Sequence, residues 1–163
     1  MKKKDSKKKK ILFISSTGGH LSEMMRLSPM FSKYDYFIMT EKTKSNLYLK
    51  EKYPGKVSFL LFGTKTSFLV YPFKLLFNSF KSLFIYIKER PNVIITTGTH
   101  TAGPMCCIGK LFGSKVIYIE TLANSSTKTA TGRLIYHIAD VFVVQWEEML
   151  ELYPKAKYWG MIY

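Results

Sequence analysis

Residues 11–21 read Ile11-Leu12-Phe13-Ile14-Ser15-Ser16-Thr17-Gly18-Gly19-His20-Leu21. A short apolar, β-branched run, Ile11–Ser15, is followed by two hydroxyl residues, Ser16 and Thr17, then the glycine pair Gly18-Gly19 and His20. A helical pattern begins near Leu21. This is a buried strand, a tight turn and a helix, the opening of a Rossmann-like unit. The alternation continues outward from it. Strands are expected at Tyr36–Thr40, Val57–Phe62, Val93–Thr97, Lys115–Ile119 and Val141–Gln145, with Pro54-Gly55 turning the chain before the second of these. Helical patterns fill Lys42–Lys52, Phe68–Lys88, Gly103–Phe112 and Gly132–Ala139, and Arg90-Pro91 stops the longest. Strands and helices alternating at this spacing specify an α/β fold: a parallel sheet with helices on both faces. Nothing divides residues 11–163, so one domain is expected.

The composition agrees. Of 163 residues, 47% are apolar and 22% charged, which excludes wholesale disorder. The formal net charge is +14. Residues 1–10 hold seven Lys and one Asp and are expected to form a disordered, solvated arm. The body that follows is also basic, which points to an anionic partner: a nucleic acid, a phosphorylated substrate or a membrane surface. Nucleic acid is disfavoured. No helix-turn-helix, RNP-type or zinc-finger signature is present, and the aromatics sit mainly in apolar runs. Cys106 and Cys107 are neighbours in an apolar run, too few for a disulfide framework or a metal quartet, and read as buried small hydrophobes of a reducing compartment. The basic start followed by Ile11–Ile14 imitates a signal peptide, but its apolar run is too short, so a cytosolic-side protein is expected. No metal site and no cofactor are expected.

In a doubly wound sheet, ligands bind outside the carboxyl ends of the strands. Three polar loops leave such ends. In the first, Ser16, Thr17, Gly18 and Gly19 let the backbone turn sharply and approach a phosphate closely, or simply make a structural turn. His20 beside them is placed to be a general base or a phosphate hydrogen-bond donor. The second loop carries Gly98, Thr99, His100 and Gly103, with Pro104 at a helix start, and suits the close approach of an anion. The third begins at Glu120, a carboxylate able to bind sugar hydroxyls, act as a base or cap its own loop. His137 lies on an apolar helical pattern and reads as structural.

Within Phe68–Lys88, Lys74, Lys81 and Lys88 recur every seven residues and form one stripe along a helix. Phe77 and Phe84 flank it, Ile85 borders its other side, and Leu69, Leu76, Phe80, Leu83 and Ile87 make a broad apolar face. A transmembrane span is disfavoured, since each lysine would cost roughly 2.5–3.5 kcal/mol near the bilayer centre. Lysines with aromatic neighbours suit a helix lying against anionic headgroups. Lys74, Phe77, Lys81, Phe84 and Lys88 are therefore the expected membrane interface.

Five stretches carry a resemblance: ILFISSTGGHL (11–21), VIITTGTHTAGP (93–104), VIYIET (116–121), LIYHIADVFVVQW (134–146) and YPKAKYWG (153–160). Together they resemble the oligosaccharide-biosynthesis subunit of the Alg-fourteen type, including bacterial relatives from capsule and exopolysaccharide clusters. The resemblance implies the N-terminal half of a GT-B glycosyltransferase whose donor-binding half is a separate chain. It implies a subunit that recruits that partner to the membrane and helps form the site for a polyprenyl-diphosphate-linked saccharide. A UDP-sugar would be the donor, and the cytoplasmic face of a bacterial plasma membrane the location. A more distant similarity, to the peptidoglycan UDP-N-acetylglucosamine transferase, puts Gly18, Gly19, His20, Gly98, Gly103, Pro104 and Glu120 on an interdomain cleft. His20 and Glu120 would be its catalytic residues. Eukaryotic members carry an N-terminal membrane anchor, and here a lysine arm stands in its place. The apolar end, Tyr158 to Tyr163, would dock a partner or finish the core. The alternative is a stand-alone Rossmann-like enzyme binding a nucleotide or phosphoryl group through the GGH loop.

Overall fold

The computed structural model describes residues 8–63 and 70–162. The sheet is formed by β1 (Lys10–Ser15), β2 (Asp35–Glu41), β3 (Val57–Leu60), β4 (Val93–Thr96), β5 (Lys115–Ile119), β6 (Val141–Val144) and β7 (Lys157–Tyr158). All seven strands are parallel, in the order β3-β2-β1-β4-β5-β6-β7. The order reverses between β1 and β4, the topological switch point where such sheets open a crevice. Here that crevice lies between the GGH loop and the Gly98 loop.

Period-two alternation assigns the strand residues to two cores. Leu12 and Ile14 point to the face covered by α3 (Tyr71–Glu89), α4 (Gly103–Leu111), α5 (Ala130–Ile135) and α6 (Met149–Leu152), where they meet Ile85, Met105, Ile135 and Met149. Ile11 and Phe13 point to the other face, covered by α1 (Gly19–Met25), a 3-10 turn at Ser28–Ser32 and α2 (Leu49–Lys52). Phe31 stacks on Tyr36 at 4.2 Å and meets Phe13 edge-on at 5.1 Å, closing that second core.

The expected elements stand, with shifted ends. Lys42–Lys52 divides into a 3-10 turn at Lys44–Asn46 and the four-residue α2. Phe68 and Leu69, the expected start of the long helix, lie outside the described residues, as does most of the lysine arm. The arm's boundary is corrected by Lys10, which opens β1 and pairs with Glu89 at 3.0 Å and Asp35 at 3.4 Å. Cys106 is buried as expected, but Cys107 is exposed, because it lies on the outer side of α4. His137 is exposed beyond the end of α5, its ring edge-on to Tyr136, rather than packed in a core.

Helix α3 packs on the protein through a narrow face. Asn78, Ser82, Ile85 and Tyr86 face inward. Phe73, Phe80 and Phe84 are 74%, 65% and 66% exposed, and Leu76, Phe77 and Ile87 are exposed beside them. Asn78 holds the helix to the sheet edge: its amide donates to the Leu61 carbonyl at 2.9 Å, and its oxygen accepts from the Leu61 N–H at 2.8 Å. The aromatic face is thus turned away from the sheet. Among the described residues, no helix is long and apolar enough to cross a membrane.

Candidate functional site

The first two loops lock together across the switch point. The Ser16 N–H donates to the Gly98 carbonyl at 3.1 Å. The Thr97 hydroxyl donates to the His20 carbonyl, and His20 Nδ1 lies on the Thr97 carbonyl, both at 2.7 Å. A carbonyl can only accept, so Nδ1 carries the proton. In the neutral ring Nε2 is then the lone-pair nitrogen, the tautomer a general base requires. His20 is half-buried, while Gly18 and Gly19 are exposed with open space where side chains would stand. Gly18 has φ +71°, a conformation that favours glycine. Helix α1 has only seven residues, so its dipole is a minor contributor here.

Gly98 also sits at φ +96°, and a Cβ there would stand in ordinary contact with the Tyr118 hydroxyl at 3.4 Å and His20 Nδ1 at 3.5 Å, so its backbone conformation rather than space favours glycine. Tyr118 links this loop to the third. Its hydroxyl donates to Glu120 at 3.4 Å, and Tyr153 and Thr129 donate to the same carboxylate at 3.1 and 3.0 Å. The Thr121 N–H adds a donor at 3.2 Å. Glu120 is 1% exposed. Burial pushes its carboxyl above the usual carboxylate range, and those donors offset part of the rise. Burial together with the Glu120 charge pushes the Tyr118 and Tyr153 hydroxyls up, which keeps both as donors. Glu120 therefore serves as the hub behind the crevice wall and orders the loop around it. Gly132 is needed for this packing, since a Cβ there would meet Glu120 Oε2 and stand 2.6 Å from the Tyr153 hydroxyl.

Two further carboxylates belong to the same edge. Glu41 ends β2, is buried, accepts from the Thr101 hydroxyl at 2.7 Å and lies 3.9 Å from His100 Nε2. Glu23 on α1 is buried and accepts from the Thr121 hydroxyl and the Leu122 N–H, both at 3.0 Å, which ties the third loop to the first helix. Sequence reasoning missed both, along with Tyr118, Thr129 and Tyr153. Glu41 had a readable signal: like Glu120, it is a carboxylate that closes an apolar strand run.

Of the expected residues, Ser16, Thr17, Gly18, Gly19, His20 and Gly98 lie on the two loops that meet at the switch point. Thr99, His100 and Gly103 lie farther along the same edge, where the Thr99 hydroxyl is 3.4 Å from His100 Nδ1. The stripe on α3 is separate from the crevice, and its lysines are not alike. The Lys74 and Lys81 amines turn back onto the Phe62 and Phe59 carbonyls, while Lys88 is exposed.

This geometry defines a Rossmann-like α/β domain with its polar loops at the switch point, similar in fold to the N-terminal domain of GT-B proteins. The chain superimposes on MurG of Acinetobacter baumannii with TM-score 0.70 and 16% identity, covering 86% of this chain and 42% of that one. It superimposes on the UDP-GlcNAc 2-epimerase of Methanocaldococcus jannaschii with TM-score 0.68 and 15% identity, covering 93% and 45%. It thus spans less than half of each of those chains. Residues 63–162 match the family described as "Oligosaccharide biosynthesis protein Alg14 like". The chain belongs to that family. The UDP-N-acetylglucosamine transferase subunit ALG14 of Candida albicans is 29% identical over 96% of this chain and 82% of that protein. The human subunit is 26% identical over 93% and 82%.

Proposed function

We propose that this protein is an accessory, acceptor-side subunit of a two-component glycosyltransferase. A partner chain supplies the donor-binding half and the UDP-sugar, and this chain presents a polyprenyl-diphosphate-linked saccharide. The observation that carries the reading is His20: fixed by Thr97 in the Nε2-basic tautomer, it stands beside two open glycines at the crevice of a half-GT-B fold. In the reaction, Nε2 takes the proton from the acceptor hydroxyl as that oxygen attacks the sugar's anomeric carbon and the nucleoside diphosphate leaves. Gly18 and Gly19 leave room for the acceptor, and Glu120 holds the wall through Tyr118 and Thr129 without touching substrate. The outward apolar face of α3, with Lys88 at its edge, seats the protein peripherally on an anionic membrane surface, the cytoplasmic face of a bacterial plasma membrane, in surface-polysaccharide synthesis. The test is to purify the chain alone and with a donor-half partner, and to follow sugar transfer from UDP-N-acetylglucosamine to a lipid-linked acceptor. Transfer by the pair alone is expected. Full-rate transfer by the isolated chain would overturn the reading.

A further inference from the structure

Between α3, the start of α4 and α5 runs a groove of about 420 Å³, lined by Tyr71, Leu75, Pro104, Cys107 and Leu134 among others, with His100 on its wall. That volume lies in the range of small-molecule sites, about 300–1,000 Å³. Its lining is mostly hydrocarbon. A sugar or nucleotide placed there would leave polar groups without partners, whereas an alkyl or isoprenoid chain would not.

Each end of the groove leads somewhere. At ~100° per residue, the α3 positions from the outward stripe round to the groove are Leu76, Leu83, Pro72, Ser79 and Leu75, with no charge among them. Lys74, Lys81 and Lys88 all lie on the opposite flank of the stripe. Uncharged, mostly apolar positions therefore run from the outward face of α3 to the groove, and Leu134, 58% exposed, forms the far bank. The other end is polar. His100 lies two residues beyond Gly98, where a side chain's Cβ would stand 3.5 Å from His20 Nδ1, so at most about 7 Å of chain separates the groove wall from the His20 loop. A groove that is mostly apolar, lies beside an apolar face and ends near polar loops matches an amphiphile with a hydrocarbon chain and a polar head.

We propose that this groove seats the head-proximal isoprenoid segment of the acceptor lipid and leads it from the α3 face to the crevice. The proposal rests on the acceptor-side reading. Cys107 is the reporter: it is exposed on the groove wall, whereas Cys106 is buried, with its thiol pushed up by burial, and does not compete for alkylation. The full chain is alkylated with a maleimide in the presence of geranyl diphosphate, or of inorganic diphosphate as the headgroup control. Geranyl diphosphate at ten times its Kd is expected to slow alkylation of Cys107 about tenfold, in proportion to occupancy, and inorganic diphosphate to leave it unchanged. Ser79→Trp fills the groove, and Leu134→Glu places a carboxylate on its exposed bank. Both should abolish the protection. Equal rates with and without the probe, protection by inorganic diphosphate, or protection that survives both variants would overturn the groove. Protection of Cys107 by the partner chain but not by the lipid probe would assign the groove to protein docking and also overturn it. The transfer assay fails or succeeds separately: transfer by the isolated chain ends the acceptor-side reading whatever the thiol reports.

Discussion

His20 is held at two points by a single residue, and the two bonds answer different substitutions. The ring is oriented by the Thr97 backbone carbonyl, which no side-chain change removes, whereas the Thr97 hydroxyl holds only the His20 backbone. His20→Ala should therefore lower transfer by the assembled pair about 10²–10⁴-fold, the usual contribution of a general base, with partner binding intact. Thr97→Val should cost far less. Equal activity in His20→Ala, read in the same transfer assay, would remove the ring from the mechanism. Glu120 gives a prediction with a definite sign. Its folded-state pKa is raised by burial, so between the ordinary carboxylate range and the raised value the folded chain keeps a proton that the unfolded chain has released. Stability then falls as pH rises through that window. Glu120→Gln lacks this slope, so denaturant titrations at a series of pH values should show the variant gaining on the parent as pH rises and then levelling off. The opposite slopes from Asp35 and Asp140, whose carboxyls are lowered beside lysines, are common to both proteins and cancel in the difference. A difference that does not change with pH would show that Glu120 titrates alike folded and unfolded. Gly132→Ala forces a methyl into the same hub and should cost about 1–3 kcal/mol in the same titrations.

Helix α3 shows how far periodicity reads at the scale of an element. The spacing of its residues located the helix and showed which side chains share a face, but not which face turns inward. Leu76, Phe80 and Ile87 would ordinarily cover the sheet. Here the sheet edge is met by Asn78 and Ser82, because Asn78 satisfies both backbone groups of Leu61 beyond the end of β3. That bond joins residues 17 apart and leaves no mark on a hydrophobic pattern. The lysine stripe was legible as a line, but the roles of its members were not. Two of the three amines are engaged on carbonyls, so the apolar residues are expected to dominate surface binding. At about 1.5–3 kcal/mol for each fully buried Phe, Phe80→Glu with Phe84→Glu should weaken binding to anionic vesicles by about two orders of magnitude or more. Fold stability should stay within about 0.5 kcal/mol, as for other exposed positions. Lys88→Glu should weaken vesicle binding by roughly 1 kcal/mol. Unchanged sedimentation of the double Phe variant with vesicles would reject the interfacial role.

At the scale of the whole molecule, strand–helix alternation was enough to fix the sheet, its parallel sense and the edge that carries the site. The four-residue α6 and the two-residue β7 are too short to show a period, and neither was expected as an element. The loops at the switch point were legible because glycines and hydroxyls follow the apolar strand runs there. Their supports were not, since Tyr153 is 33 residues from Glu120 and Thr121 is 98 from Glu23. The result is a set of exposed polar loops at the switch point, with an apolar face on the α3 side and exposed Trp159 and Met161 near residue 160. A crevice at such loops excludes water only when a second body covers it, and enclosure strengthens every charge interaction within it. The proposed function therefore predicts a sharp dependence on assembly. The isolated chain should show no saturable heat on titration with UDP-N-acetylglucosamine and no turnover above background. Adding the donor-half partner should produce both, and the gain should be largest when the acceptor is carried in anionic vesicles, where α3 brings the crevice to its substrate. Calorimetry and radiolabelled sugar transfer on the same preparations check this, and tight binding of the nucleotide sugar by the chain alone would favour a stand-alone enzyme instead.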